Sequence, residues 1–253
     1  MENGFMLELD NQKSDTEPMQ EITALLISML DQLQEVRIRL IKIIVAVAVG
    51  SGISYFYAAE ILQWITVPAG HLYYMNPAEA FFSYLKISFF AGFLLALPVV
   101  LYQAWAFIIS ALKRKECTAL AIVVPSSVIL FFAGLAFSYY LVLPAGIIFF
   151  MGFATENLQP MFSLSEYLSL VISFLLPFGF IFELPLLIML LANLGIISSM
   201  FLISKRKIFL VLAFVMGAVL SPTPDVLSQT MVALPMLILY EISIMIVKYV
   251  LRK

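Results

Sequence analysis

Charge is what this sequence most lacks: Asp, Glu, Lys and Arg together make up 12% of its 253 residues, about half the ~25% of an ordinary soluble domain. With 63% of residues hydrophobic, a chain of this length has too little interior to hide its apolar side chains from water. Most of them must face lipid or one another. Cysteine is nearly missing as well, and the single Cys117 excludes an internal disulfide and a cysteine metal cluster. His71 is the only histidine and falls in a loop, so a serine or metal hydrolase has no base or ligand where it needs one. Haem has no ligand pair. Intramembrane aspartyl proteolysis needs two Asp within spans, whereas Asp225, the only one near a span, sits at a turn. No catalytic residue, metal or cofactor is expected. The net charge of −2 creates no field that would draw nucleic acid. The polar, acidic start lacks the basic opening and short apolar stretch of a cleavable signal, and the chain is read as unprocessed.

What the chain has instead is long apolar runs. A membrane-spanning helix needs about 20 mainly apolar residues to cross ~30 Å of hydrocarbon, and six stretches qualify as candidates: near 40–59, 82–109, 120–150, 167–194, 208–220 and 226–247. The reading is an all-α polytopic membrane protein with six transmembrane helices. Pro98, Pro125, Pro144, Pro177 and Pro185 interrupt these runs, which membrane helices tolerate when neighbours satisfy the freed backbone groups. Bent helices forming a curved, concave scaffold are expected, with ordinary packing kinks as the alternative at each proline. The fifth stretch has thirteen residues, about 20 Å of helix. Its hairpin with the sixth, turned over residues 221–225, is therefore expected to sit shallow or to thin the bilayer.

Basic residues set the orientation, because positive side chains near span ends are retained in the cytoplasm. Lys13, Arg37, Arg39 and Lys42 precede or open the first span; Lys113, Arg114 and Lys115 lie between the second and third. Lys205, Arg206 and Lys207 lie between the fourth and fifth, and Lys248, Arg252 and Lys253 end the chain. Only Lys86 falls out of line. Both termini are thus expected in the cytoplasm. Before the first span, Ile22, Leu25, Leu26, Met29, Leu33 and Val36 recur at helical spacing opposite Gln32, Gln34, Glu35 and Arg37, the pattern of an interfacial amphipathic helix. The expected organisation is a disordered polar N-terminus over 1–20, a cytoplasmic amphipathic helix over 21–39, a six-helix membrane domain over 40–247 and a cytoplasmic tail over 248–253.

Charged groups inside lipid need a reason, since even lenient insertion scales assign them a cost of about 2.5–3.5 kcal/mol at mid-bilayer. Glu183 lies near the middle of the fourth stretch with no basic residue at similar depth. It reads as a polar contact or proton-sensitive group facing a cavity, or as a protonated carboxyl bonded to a neighbouring helix. Lys86, seven residues after Glu79 and on the same helical face, either meets it or snorkels. Gln229 and Glu241 face a partner helix or bond within the bundle. On the cytoplasmic side, Glu35 and Glu116 are two carboxylates that suit a guanidinium ligand, whose planar fork binds carboxylate bidentately as Lys does not. Charge pattern alone gives a plainer pairing, of Glu35 with Arg39 four residues on and of Glu116 with its basic neighbours.

Taken in order, the motifs resemble the TatC family, the multi-spanning receptor of the twin-arginine protein translocase. The residues that carry the resemblance are Leu33, Glu35, Arg37 and Arg39; then Pro77, Glu79, Phe81 and Lys86; then Pro98, Tyr102, Gln103, Trp105, Phe107 and Glu116. They continue with Gly134, Phe137, Tyr139 and Pro144, with Phe182 to Pro185, and with Pro224, Asp225, Ser228, Gln229, Pro235, Tyr240 and Glu241. Asp31 and Gln32 depart from the family's usual Ser-His, Val36 from its Leu and Ser110 from a common proline. The resemblance implies a receptor for folded cargo whose signal peptides carry paired arginines, with Glu35 and Glu116 as the recognising carboxylates, Phe107 beside them and Arg37 in the same motif. It implies that Glu183, Asp225 and Gln229, with Lys86, are polar positions on the concave face or against partner helices. It implies single-span partners of the TatA and TatB type, self-association, a bacterial inner membrane and transport driven by the protonmotive force. Two other classes compete: a small-molecule transporter, which would show inverted repeats and broken half-helices, and a lipid-modifying enzyme, which would cluster His, Asp or Arg at one interface.

Overall fold

The computed structural model describes residues 33–70, 72–111, 117–152, 161–221 and 225–250. The expected polar N-terminus, residues 21–32 of the amphipathic helix, His71, the basic run 113–115 with Glu116, the turn residues 222–224 and the chain end at 251–253 lie outside the described residues. The chain divides into two units, 1–46 and 47–253. In the first, residues 33–46 are helical and expose Leu33, Val36, Ile38 and Ile41.

In the second unit, α1 (residues 47–56) is interrupted at Tyr57, whose backbone leaves helical values at φ −106° and ψ 10°, and α2 (Ala58–Thr66) follows. The later helices are α3 (Pro77–Ala111), α4 (Cys117–Phe137), α5 (Leu143–Met151), α6 (Leu164–Ile181) and α7 (Leu184–Asn193). Short α8 (Ser199–Ser204), α9 (Arg206–Leu220) and α10 (Val226–Met245) complete the unit. Four continuous apolar segments are long enough to cross a membrane by length and composition: Pro77–Ile109, Leu120–Met151, Leu164–Asn193 and Val226–Tyr249. α9 has 15 residues, about 22 Å of helix. It outruns its apolar stretch by two residues because Arg206 and Lys207 join its first turn.

The prolines act in two ways. Pro144 follows a π-helical turn over Ser138–Val142, in which the Leu143 N–H reaches back five residues to the Ser138 carbonyl. This widened turn absorbs the ring that would clash in a regular helix. Pro185 cannot donate to the Ile181 carbonyl, and there α6 gives way to α7 through a turn at Phe182 and Glu183. Pro98, Pro125, Pro177 and Pro235 instead sit inside unbroken helices.

The core forms where α3, α4 and α6 meet, around the fully buried Leu97, Phe131, Leu168, Val171, Phe174 and Phe178. Between apolar helices in lipid no hydrophobic force drives association, so close backbone approach must supply it. Glycine permits that approach. A Cβ on Gly134 of α4 would lie 2.4 Å from the Phe178 carbonyl oxygen, and one on Gly179 of α6 would lie 2.5 Å from the Phe131 ring. A smaller cluster of Ile188, Ala192, Leu202, Tyr240, Ile244 and Val247 joins α7, α8, α10 and the π-helical turn Ile246–Val250 that follows it. Phe209 of α9 stacks on Tyr240 there at 3.8 Å between ring centroids, and the Tyr240 hydroxyl donates to the Leu202 carbonyl at 2.9 Å.

Candidate functional site

Glu183 sits in the α6–α7 turn that Pro185 creates, and it is not alone. The Trp105 Nε1–H on α3 donates to the Ser127 hydroxyl on α4 at 2.9 Å, and the Ser127 hydroxyl donates to Glu183 Oε2 at 2.6 Å. Trp105 and Ser127 are buried. Three elements therefore converge on one carboxyl, of which the second oxygen, Oε1, is buried without a hydrogen-bond partner among the described residues. The hydrogen bond from Ser127 on α4 gives Glu183 a partner on a neighbouring helix. Sequence reasoning missed Ser127. Its signal was a serine two residues after Pro125 in a largely apolar run, facing a tryptophan whose N–H can only donate.

Lys86 and Glu79 do not pair. Both reach the first turns of α6: Glu79 Oε1 accepts from the Ser163 hydroxyl and from the Ser165 N–H at 3.0 Å, and Oε2 accepts from the Met75 N–H at 2.7 Å. Lys86 Nζ donates to Ser169 Oγ at 2.8 Å and to the hydroxyl and carbonyl of Ser165 at 3.3 Å. Backbone bonds between Tyr73 and the 162–164 segment reinforce the junction, at 3.1 Å and 2.8 Å. So do the Tyr139 and Tyr167 hydroxyls, which donate to the Trp64 and Ile65 carbonyls, each at 2.9 Å. The surface that receives Lys86 is thus another helix start within the bundle, which the equal spacing of Glu79 and Lys86 on one face could not reveal.

Asp225 caps α10, with Oδ1 accepting from the Ser228 N–H at 2.7 Å. Such caps contribute about 1 kcal/mol. Asp225→Ala is therefore expected to speed amide exchange at the start of α10 by about fivefold, read by hydrogen exchange, with the rest of the helix unchanged. Gln229, partly buried one turn on, lies where α9 approaches closely: a Cβ on Gly217 would be 2.7 Å from its carbonyl oxygen. Glu241 accepts from Arg206 at 2.6 Å, so it bonds within the bundle.

In the first unit, Glu35 is half-exposed and bonded to Arg39, whose Nε donates to Oε1 at 3.1 Å while a second guanidinium nitrogen bonds the same oxygen. This is the plainer pairing that charge pattern gives. Arg37 is exposed. Phe107, near the end of α3, is 38% exposed, a large apolar ring offered at a helix end. Glu116 lies outside the described residues.

Long apolar helices that bury a polar chain between them define a polytopic α-helical membrane protein. A family model described as Sec-independent protein translocase protein (TatC) matches residues 31–235. The chain belongs to the TatC family. The TatC protein of Carboxydothermus hydrogenoformans is 37% identical over 227 residues, covering 88% of this chain and 93% of its own length. That of Desulforapulum autotrophicum is 40% identical over 221 residues, covering 85% and 82%. A crystal structure of a twin-arginine translocase receptor TatC superposes with a TM-score of 0.75 at 38% identity, covering 86% of this chain and 98% of that one. Membership makes this a membrane component of a protein translocase rather than an enzyme, and it removes the lipid-modifying and small-molecule transport alternatives.

Proposed function

We propose that this chain is the receptor and core subunit of a twin-arginine translocase in a bacterial inner membrane. It binds the paired-arginine signal peptides of folded cargo through Glu35, Arg37, Phe107 and Glu116, and it works with single-span TatA/TatB-type partners, with Glu183, Asp225, Gln229 and Lys86 as polar positions on the concave face or against partner helices. Copies self-associate, and export draws on the protonmotive force. The chain crosses the bilayer six times with both ends cytoplasmic, the stretches near 40–59 and 208–220 supplying the two spans beyond the four long ones. The alternation of basic segments supports this orientation.

The observation that carries the reading is the Glu35–Arg39 pair. This carboxylate already holds a guanidinium at a half-exposed surface, where ion pairs are worth only about 0.2–1 kcal/mol. A peptide arginine can therefore displace Arg39 or share the carboxylate at small cost. Lysine at either peptide position lacks the fork and should bind less well.

A photoreactive residue at position 107, in inverted inner-membrane vesicles, tests the proposal. A twin-arginine peptide is expected to crosslink there, and its twin-lysine counterpart about tenfold less. Equal labelling by both peptides, or a reporter at position 116 reached only from the outer face, would overturn the assignment.

A further inference from the structure

Two of the long apolar segments, Leu164–Asn193 and Val226–Tyr249, end at one edge of the bundle, where Ala192 and Val247 share a buried cluster with Leu202 of α8. The short α8 therefore lies at the level where these helices leave the lipid. It buries Leu202 and exposes Met200 at 80%, Phe201 at 50% and Ile203 at 39%. Lys205 follows, with its Nζ 5.7 Å from the centre of the Phe201 ring. Lys248, on the π-helical turn next to Val247, holds its Nζ 5.3 Å from the centre of the Tyr249 ring. These lysines and Lys207 are exposed, and none of the three has an ion pair among the described residues. Residues 193–210 and 242–250 contain no Asp or Glu, and Glu241 is held by Arg206 at 2.6 Å. An apolar face thus adjoins positive charge that nothing described balances.

We propose that this edge is a binding site for an anionic phospholipid: Met200, Phe201 and Ile203 sit among its acyl chains, while Lys205 and Lys248 supply the counter-charge for its headgroup. An exposed Met-Phe-Ile face is costly in water, and the acyl layer beside α8 is the apolar phase within its reach. An ammonium laid over an aromatic ring keeps its charge at the surface while its stem lies along apolar groups. A headgroup with net negative charge is attracted to each such lysine, and a zwitterionic headgroup gains far less. The site is independent of the residues assigned above to signal peptides and partner helices.

The test places a photoreactive apolar residue at position 200 of the full chain, in vesicles of equal parts phosphatidylglycerol and phosphatidylcholine, and identifies the adducts by mass spectrometry. Phosphatidylglycerol adducts are expected to outnumber phosphatidylcholine adducts about twentyfold, each lysine contributing about fivefold. The ratio should fall as salt is raised, because the lysines are exposed to screening. Lys205→Gln or Lys248→Gln alone should reduce it about fivefold, and the two together should bring it close to one. Lys205→Arg with Lys248→Arg keeps both charges and should keep the preference. Equal adducts of the two lipids on the unsubstituted lysine background overturn the proposal. A preference that survives the double Gln change puts the headgroup elsewhere and overturns the site. Chain-to-chain adducts in place of lipid adducts show that a second copy covers α8, and they overturn it as well.

Discussion

Replacing Glu35 and Glu116 together with alanine is expected to lower affinity for a twin-arginine peptide by at least about a hundredfold, since each charge-assisted bond contributes roughly 1.5–3 kcal/mol. Each single substitution should cost about tenfold. The effect should be largest at low salt, because Glu35 is half-exposed and ionic screening acts on such a group. Neither change should unfold the protein. Glu35 holds a half-exposed pair with Arg39, worth a few tenths of a kcal/mol on a helix. Fluorescence anisotropy of a labelled peptide, with thermal melting as the control, measures both quantities. Unchanged affinity in the double variant at an unchanged melting temperature would remove these carboxylates from recognition. The wild-type preference for Arg-Arg over Lys-Lys peptides should shrink in the same variants, because that preference depends on the carboxylates the fork engages.

The second large effect concerns assembly of the bundle. Gly92→Val is expected to destabilise the protein by about 3 kcal/mol or more and to reduce its accumulation in the membrane severalfold. α1 and α3 touch backbone to backbone at this point: a Cβ on Gly92 would lie 2.2 Å from the Ser51 nitrogen and 2.3 Å from its Cα. A Cβ on Gly50 would lie 2.5 Å from the Gly92 carbonyl oxygen. No side-chain rotation relieves a clash between main chains, so α1 must move away from α3, and every contact along the crossing is weakened together. Gly52→Ala is the matched control, because a Cβ at position 52 meets nothing within 4 Å. It should melt within about half a kcal/mol of the wild type. A Gly92→Val protein that accumulates and melts as the wild type does would show that this crossing contributes little.

The long helices could be read in the sequence because their cause is local. An uninterrupted apolar run of 20 or more residues has to satisfy its backbone within itself in lipid, and only a helix does so. The four segments Pro77–Ile109, Leu120–Met151, Leu164–Asn193 and Val226–Tyr249 answer to four of the six predicted stretches. Their ends differ by a few residues, at Pro77 and Leu164, because polar caps and turns set ends and apolar character does not. The break at Tyr57 was not legible. Nothing apolar stops there, and the runs on both sides read as one.

Side-chain partnerships divide along the same line. Arg39 lies one helical turn from Glu35, so their bond follows from spacing alone. Ser127 lies 56 residues from Glu183 and Trp105 lies 22 from Ser127, and no periodicity links positions that far apart. Lys86 shows the risk of trusting spacing: it shares a helical face with Glu79, yet both residues turn to α6, 79 and 86 residues away.

By itself, then, the sequence determined that this protein lives in lipid, that it is helical, that it has no residues placed for bond-breaking chemistry, and which family's motifs it carries. Composition, hydrophobic run length and charge placement are properties of a single chain stretch and survive without knowledge of its neighbours. Only the tertiary structure decided that Ser127 meets Trp105 and Glu183, that Glu183 Oε1 is buried with no hydrogen-bond partner among the described residues, and that Lys86 serves the start of α6. Those outcomes depend on which helix faces approach one another. The crossings in turn depend on glycines such as Gly92 and Gly134, whose effect is felt only against a surface the sequence does not name.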